Sequence, residues 1–110
     1  MSYSLLDLMR LIVAEGGDAV HLHDGEPPVL EIRGQLQRIE GPRLETDAAL
    51  ESFRAIAPKD ELREIKGNGL ASFELLHSNA VFRVMAFRED GSVRVEFRII
   101  SQGPRRESVM

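Results

Sequence analysis

His21 and His23 stand two residues apart and are followed at once by Asp24, which makes this the stretch of the chain best suited to chemistry. Alternate side chains of an extended segment share a face, so two imidazoles beside a carboxylate make the beginning of an open metal site. Such a site needs three protein ligands, and histidines on a half-exposed strand more commonly serve as surface or hydrogen-bonding groups. No metal is expected here. Asp24, Glu26 and Glu31 offer further carboxylates, but on a turn and a polar strand face they serve turn formation and solubility. The serines have no histidine partner in a nucleophile-elbow context. The two lysines, Lys59 and Lys66, do not follow glycines in the pattern of a phosphate-binding loop. The expected protein is not an enzyme and holds no cofactor. What remains is arginine: Arg83, Arg94 and Arg98 lie on the last two predicted strands, where planar guanidinium groups suit a carboxylate or phosphate edge. The plainer reading is a solvated face balanced by Glu74, Glu89 and Glu96.

These residues need a scaffold to hold them. Ser4 is placed to cap a helix whose apolar positions Leu5, Leu8, Met9, Ile12 and Val13 follow helical spacing, and Gly16-Gly17 ends it. Ala19 to His23 alternates, with Val20 and Leu22 on one face and the histidines on the other. Asp24-Gly25 turns the chain, and Pro27-Pro28 holds it extended into Val29 to Arg33. Gly25 is expected at positive φ, with Pro27 and Pro28 presetting the entry to the next strand. After Gly34 comes a short strand, Leu36 to Ile39.

The period then changes. Thr46 or Asp47 is expected to cap a helix carrying Leu50, Phe53 and Ile56, and Pro58 ends or restarts it before Leu62 and Ile65. Strands return at Leu70 to Leu76, Val81 to Arg88 and the final run, with turns at His77-Ser78-Asn79 and Glu89-Asp90-Gly91. In that last strand Val93, Val95, Phe97 and Ile99 point one way and Arg94, Glu96 and Arg98 the other. Such alternation marks an antiparallel sheet with one buried and one wet face. The order gives an α+β fold, a sheet of five to six strands with helices on one face, in a single domain over 1–100 with a loose tail over 101–110.

Composition narrows the partners. A chain of 110 residues with no cysteine forms neither disulfides nor thiolate metal sites, which fits a reducing compartment. A net charge of −4 argues against nucleic acid. No apolar run approaches the roughly 20 residues of a membrane span, and no secretory signal opens the chain, so a cytoplasmic location is expected.

The run His21-Leu22-His23-Asp24-Gly25-Glu26-Pro27-Pro28-Val29-Leu30, then Gly34-Gln35-Leu36, resembles the amino-terminal domain of PilT-type type IV pilus retraction ATPases, the twitching-motility motors. Phe82-Arg83-Val84-Met85-Ala86-Phe87 and Phe97-Arg98-Ile99-Ile100 look like that family's arginine-flanked strand and its exit strand. The resemblance runs from about Leu5 to Ile100 and implies a PAS-like fold without the ATPase domain. The departures are specific. Where the family has an aspartate before the histidine strand this chain has Ala19, with Asp18 one position earlier; the family's arginine after the proline pair is Glu31. Val81 replaces the first arginine of the arginine-flanked strand, and Met85 the asparagine after it. Of the arginines that face the nucleotide cleft in such motors, the resemblance leaves Arg83 and Arg98.

The resemblance implies a protein-interaction module. In the motors this domain packs on the ATPase domain of the next subunit of a hexameric ring. A free copy would dock on such a pilus ATPase or on itself, with Arg83, Arg94 and Arg98 at the contact. The alternatives are a PAS-like small-ligand sensor, or an excised domain of a longer hexameric pilus ATPase; a natural stand-alone protein is the expectation. One tyrosine, no tryptophan and five phenylalanines favour a core filled by aliphatics over one shaped around a ligand.

Overall fold

The Ser4 side chain accepts a hydrogen bond from the Asp7 backbone N–H at 3.4 Å and starts helix α1, Leu5–Ala14. Its buried residues Leu5, Leu8, Met9 and Ile12 form one stripe, as the spacing requires. Gly16 takes φ +67°, and the Gly16 and Gly17 N–H groups reach back to the Val13 and Ile12 carbonyls, satisfying the last turn. The computed structural model of the chain describes residues 4–103.

Two strands and a hairpin partner follow: β1 (Ala19–His23), β2 (Val29–Ile32) and β3 (Gln35–Arg38). Helices α2 (Ala48–Arg54) and α3 (Lys59–Gly67) come next, then the long strands β4 (Leu70–His77), β5 (Ala80–Glu89) and β6 (Ser92–Gln102). Three of the connections are two-residue turns with both central residues at positive φ: Arg33-Gly34, Ser78-Asn79 and Asp90-Gly91. Positive φ at both positions matches the right-handed twist of the flanking strands, which is why tight hairpins select it. Strand β6 continues beyond residue 100, with Ser101 and Gln102 opposite Val81 and Ala80. Residues 104–110 of the expected tail lie outside the described residues.

All strands join one antiparallel sheet in the order β3-β2-β1-β6-β5-β4. The fold is α+β, with six strands and three helices among the described residues. Val20 and Leu22 of β1, Val84 of β5 and Val95 and Phe97 of β6 are fully buried on the face that meets Met9 and Ile12 of α1, Phe53 of α2 and Ile65 of α3. Phe82 and Phe97 meet edge to face at 5.9 Å. Ile32, Leu50, Phe73 and Ile99 are half-buried at the margin of this core.

The start of α2 departs from the sequence reading. Asp47 occupies the cap position in a left-handed conformation (φ +66°) and its side chain makes no capping bond. The carboxylate that caps α2 belongs to Asp24, which accepts from Asp47 N at 2.8 Å and from Ala49 N at 3.1 Å. Backbone bonds from Gly25 N to Leu44 O and from Leu44 N to Glu26 O lace the same turn to the segment before the helix. Gly25 does sit at φ +85°, and Pro28 is fully buried. The Asp24-to-Pro28 turn therefore fastens the amino-terminal hairpin to α2. Asp24→Ala should lower stability by about 1–2 kcal/mol, the usual effect of losing a helix cap. Denaturant melts of the two proteins check this; a loss below about 0.5 kcal/mol would mean that water caps the helix equally well.

Candidate functional site

No helix among the described residues covers the second face of the sheet, and the pairing register lays its side chains out in three rows. Leu36, Glu31, Ala19, Arg98, Arg83 and Glu74 form one row across all six strands. Arg38, Val29, His21, Glu96, Met85 and Ser72 form the next. His23, Arg94, Phe87 and Leu70 form the third. Alternation along each strand puts these residues opposite the core, as the sequence pattern of β6 requires.

Charge on this face is organised around Arg98. Its Nη1 and Nη2 donate to Glu31 Oε2 and Oε1, each at 3.1 Å, and its Nε donates to Glu96 Oε2 at 3.3 Å. The fork reaches Glu31 two strands away because Ala19, directly between them and fully buried, is only a methyl group. His21 sits between the same two carboxylates, Nε2 at 3.2 Å from Glu31 and Nδ1 at 3.4 Å from Glu96. The Arg98 guanidinium first, and then the His21 ring, hold the Glu31 carboxyl below its ordinary value against the opposing effect of burial. The same hydrogen bond raises Arg98. The two shifts agree on one strong, two-pronged ion pair.

The other two predicted arginines are more exposed. Arg83 lies 3.4 Å from Glu74 across the strand pair, and Arg94 Nε lies 3.1 Å from Glu89. Both are about half exposed, so these pairs exchange readily with solvent or a partner carboxylate. Arg83, Arg94 and Arg98 thus share one face. A groove of about 330 Å³ runs beside Arg94 over His21, His23, Pro27, Glu31 and Leu36, so the residues of the histidine-to-proline block converge there. Pro27 lines it directly, whereas Pro28 turns into the core and Gly25 shapes the turn behind. Among the described residues no three histidine, aspartate or glutamate side chains come together in a way that could hold a metal ion. Asp24, the third ligand a metal would have needed, is occupied by α2.

Neither family models nor curated proteins match the chain. Solved structures do. The pilus retraction motor PilT with bound ADP superposes with a TM-score of 0.79 at 22% identity, over 88% of this chain and 29% of that one. The ATPase DotB of Legionella pneumophila superposes with a TM-score of 0.70 at 19% identity, over 100% of this chain and 32% of its own. DotB of Yersinia pseudotuberculosis gives 0.65 at 14% identity, over 90% of this chain and 31% of that one. In fold, this chain resembles the amino-terminal domain of the PilT-type motors. It spans about a third of the length of each of these proteins, so the resemblance is to one domain. No described helix is long and apolar enough to cross a membrane.

The Glu31–Arg98 pair is not legible from either strand alone, because the partners are brought together only when β1 pairs with both neighbours. A carboxyl whose value is lowered on folding stabilises the fold fully above its unfolded value, and that contribution disappears as pH falls through the lower folded value. Glu31→Gln removes this dependence. Across roughly pH 6 to pH 3 the variant should lose less stability than the wild type. Denaturant midpoints at a series of pH values test it, and parallel curves would contradict the ion pair.

Proposed function

We propose that the chain is a non-catalytic docking module, related to the amino-terminal domain of the pilus retraction motors, that binds a protein partner through the open face of its sheet. The supporting observation is the convergence on that face of the groove beside Arg94, built from the histidine-to-proline block, and of Arg83 and Arg98. Planar guanidinium groups at half exposure suit carboxylates of a partner, and their flat faces pack on apolar surface such as Leu36 and Phe87. The partner that best fits the fold is an ATPase ring of the PilT type, or a second copy of the chain, in the cytoplasm.

The arginines differ in role. Arg98 is already bound twice within the chain and positions Glu31, Glu96 and His21. Arg83 and Arg94 each lose only an exposed pair on meeting a new carboxylate. Glu31 stands where the motor family carries an arginine, and it takes up one of the two arginines that the resemblance assigns to the nucleotide cleft. This pairing supports a face given over to protein contact in place of nucleotide contact.

The test uses single alanine substitutions at Arg83, Arg94 and Arg98, with a melt confirming the fold of each. Association with a PilT-type ring and with the chain itself is then measured by calorimetry or sedimentation. Arg83→Ala or Arg94→Ala should weaken association at least tenfold, about 1.4 kcal/mol. Magnesium-ATP added to the chain alone should give neither micromolar binding nor phosphate release, since no phosphate-binding loop is present. A wild-type chain that ignores both the ring and itself rejects the docking reading.

A further inference from the structure

The two edges of the sheet are built differently. At one, β3 is four residues long, and its residues Gln35 to Arg38 are exposed and polar apart from Leu36. That is a short edge of the kind that resists pairing with another chain. At the other, β4 runs for eight residues, Leu70–His77, and among the described strands pairs only with β5. It contains no lysine, arginine or proline, and its single acidic residue, Glu74, is drawn to Arg83 of the neighbouring strand. Leu70 and Leu76 near its two ends are 58% and 71% exposed.

The hydrogen-bond phase of this edge follows from the first bond of the hairpin. Arg88 N donates to Gly69 O at 2.8 Å, so Gly69 and the odd-numbered residues after it point their backbone groups at β5. The N–H and C=O groups of Leu70, Ser72, Glu74 and Leu76 therefore point outward. Among the described residues no backbone bond links β4 to any segment other than β5.

We infer that β4 is a self-pairing edge, where two copies join antiparallel about a twofold axis at Phe73 to form one continuous sheet. The occupant is a second copy because the strand is complementary to itself in one register. With Phe73 opposite its own symmetry mate, Leu70 faces Leu76 of the other copy twice over, and Ser72 faces Glu74 twice over. The outward-pointing residues are then the ones that meet, so each exchanges both of its backbone hydrogen bonds. The two exposed leucines cover each other, and the two Glu74 side chains are kept apart. Moving the axis to Glu74 sets the two carboxylates face to face, and moving it to Ser72 sets Leu70 against Glu74. Both alternatives put a charge where the central register puts a leucine or a serine. On the other side of the strand, the half-buried Phe73 rings meet across the axis and extend the core begun by Phe53 and Phe73, 5.7 Å apart. The contact is isologous and closes at two copies.

This inference concerns the edge of the sheet and not its open face, so it goes beyond the docking reading and fails separately from it. Sedimentation of the full chain over a concentration series up to about 1 mM should show a reversible monomer–dimer equilibrium. Leu76→Lys should weaken the dimer at least tenfold, since a lysine then faces Leu70 at both ends of the interface. Adding Leu70→Glu to the same chain should restore it, because the register sets the introduced carboxylate against the introduced ammonium of the other copy twice. Ser72→Pro, which removes an outward N–H without touching the β5 ladder, should abolish the dimer while a melt shows the fold retained. Arg94→Ala, whose ion pair is with Glu89 and not with β4, reports on the open face in the same assay. A wild type that stays monomeric throughout overturns the inference. So does a dimer indifferent to Leu76→Lys and Ser72→Pro, or one that Leu70→Glu fails to rescue.

Discussion

Strand β1 lies between β2 and β6, and its pairing with β6 is what joins the two ends of the chain into one sheet. The register from Ala19–Arg98 to His23–Arg94 spans most of the sequence. Closing so long a loop costs more than closing a hairpin, though the cost grows only logarithmically with length. Burial of Val20 and Leu22 against Val95 and Phe97 offsets it on the inner face. On the outer face the Arg98 fork adds a second fastening that reaches past Ala19 to β2. Without this pairing the amino-terminal hairpin and the late three-stranded meander would be separate, and each would be too small for a core of its own.

Two further fastenings depend on it. Once β1 is in place, the Asp24 carboxylate at its end is in position to cap α2, and the backbone bonds to Leu44 close the loop between them. The cap sets where α2 begins, and hence where Phe53 enters the core. Polar groups that look like loose surface chemistry in the sequence are thus tied into tertiary contacts. His21 is held between two glutamates, and Asp24 is consumed by a helix terminus. What stays available at the surface is narrower: the exposed arginines of the open face and the backbone of the β4 edge.

Much of the inner face is legible along the chain. Helical spacing in α1 and period-two alternation in β1, β5 and β6 identify the residues that are buried, because each rule depends only on the backbone geometry of a single element. The Asp-Gly and Ser-Asn turns are likewise readable, since a two-residue hairpin demands positive φ and those residues tolerate it. The histidine-to-proline block is enough to suggest the amino-terminal-domain fold that the superpositions display. The end of β6 and the cap of α2 are where pattern and structure part. Strand β6 continues because Ser101 and Gln102 have partners on β5, and the capping that local spacing assigns to Thr46 or Asp47 is performed by Asp24.

Which residues face the core, where the chain reverses, and the lack of a phosphate loop or thiolate site can all be read from the chain as written. Those properties are local, and a period or a spacing carries them. The order of strands is not local, and with it comes every pairing between residues distant in the chain. Glu31 meets Arg98 because β1 pairs on both sides, and β4 is an open edge because no described strand pairs beyond it. Long-range pairing is selected by the summed burial and hydrogen bonding of whole strands. No single residue announces it.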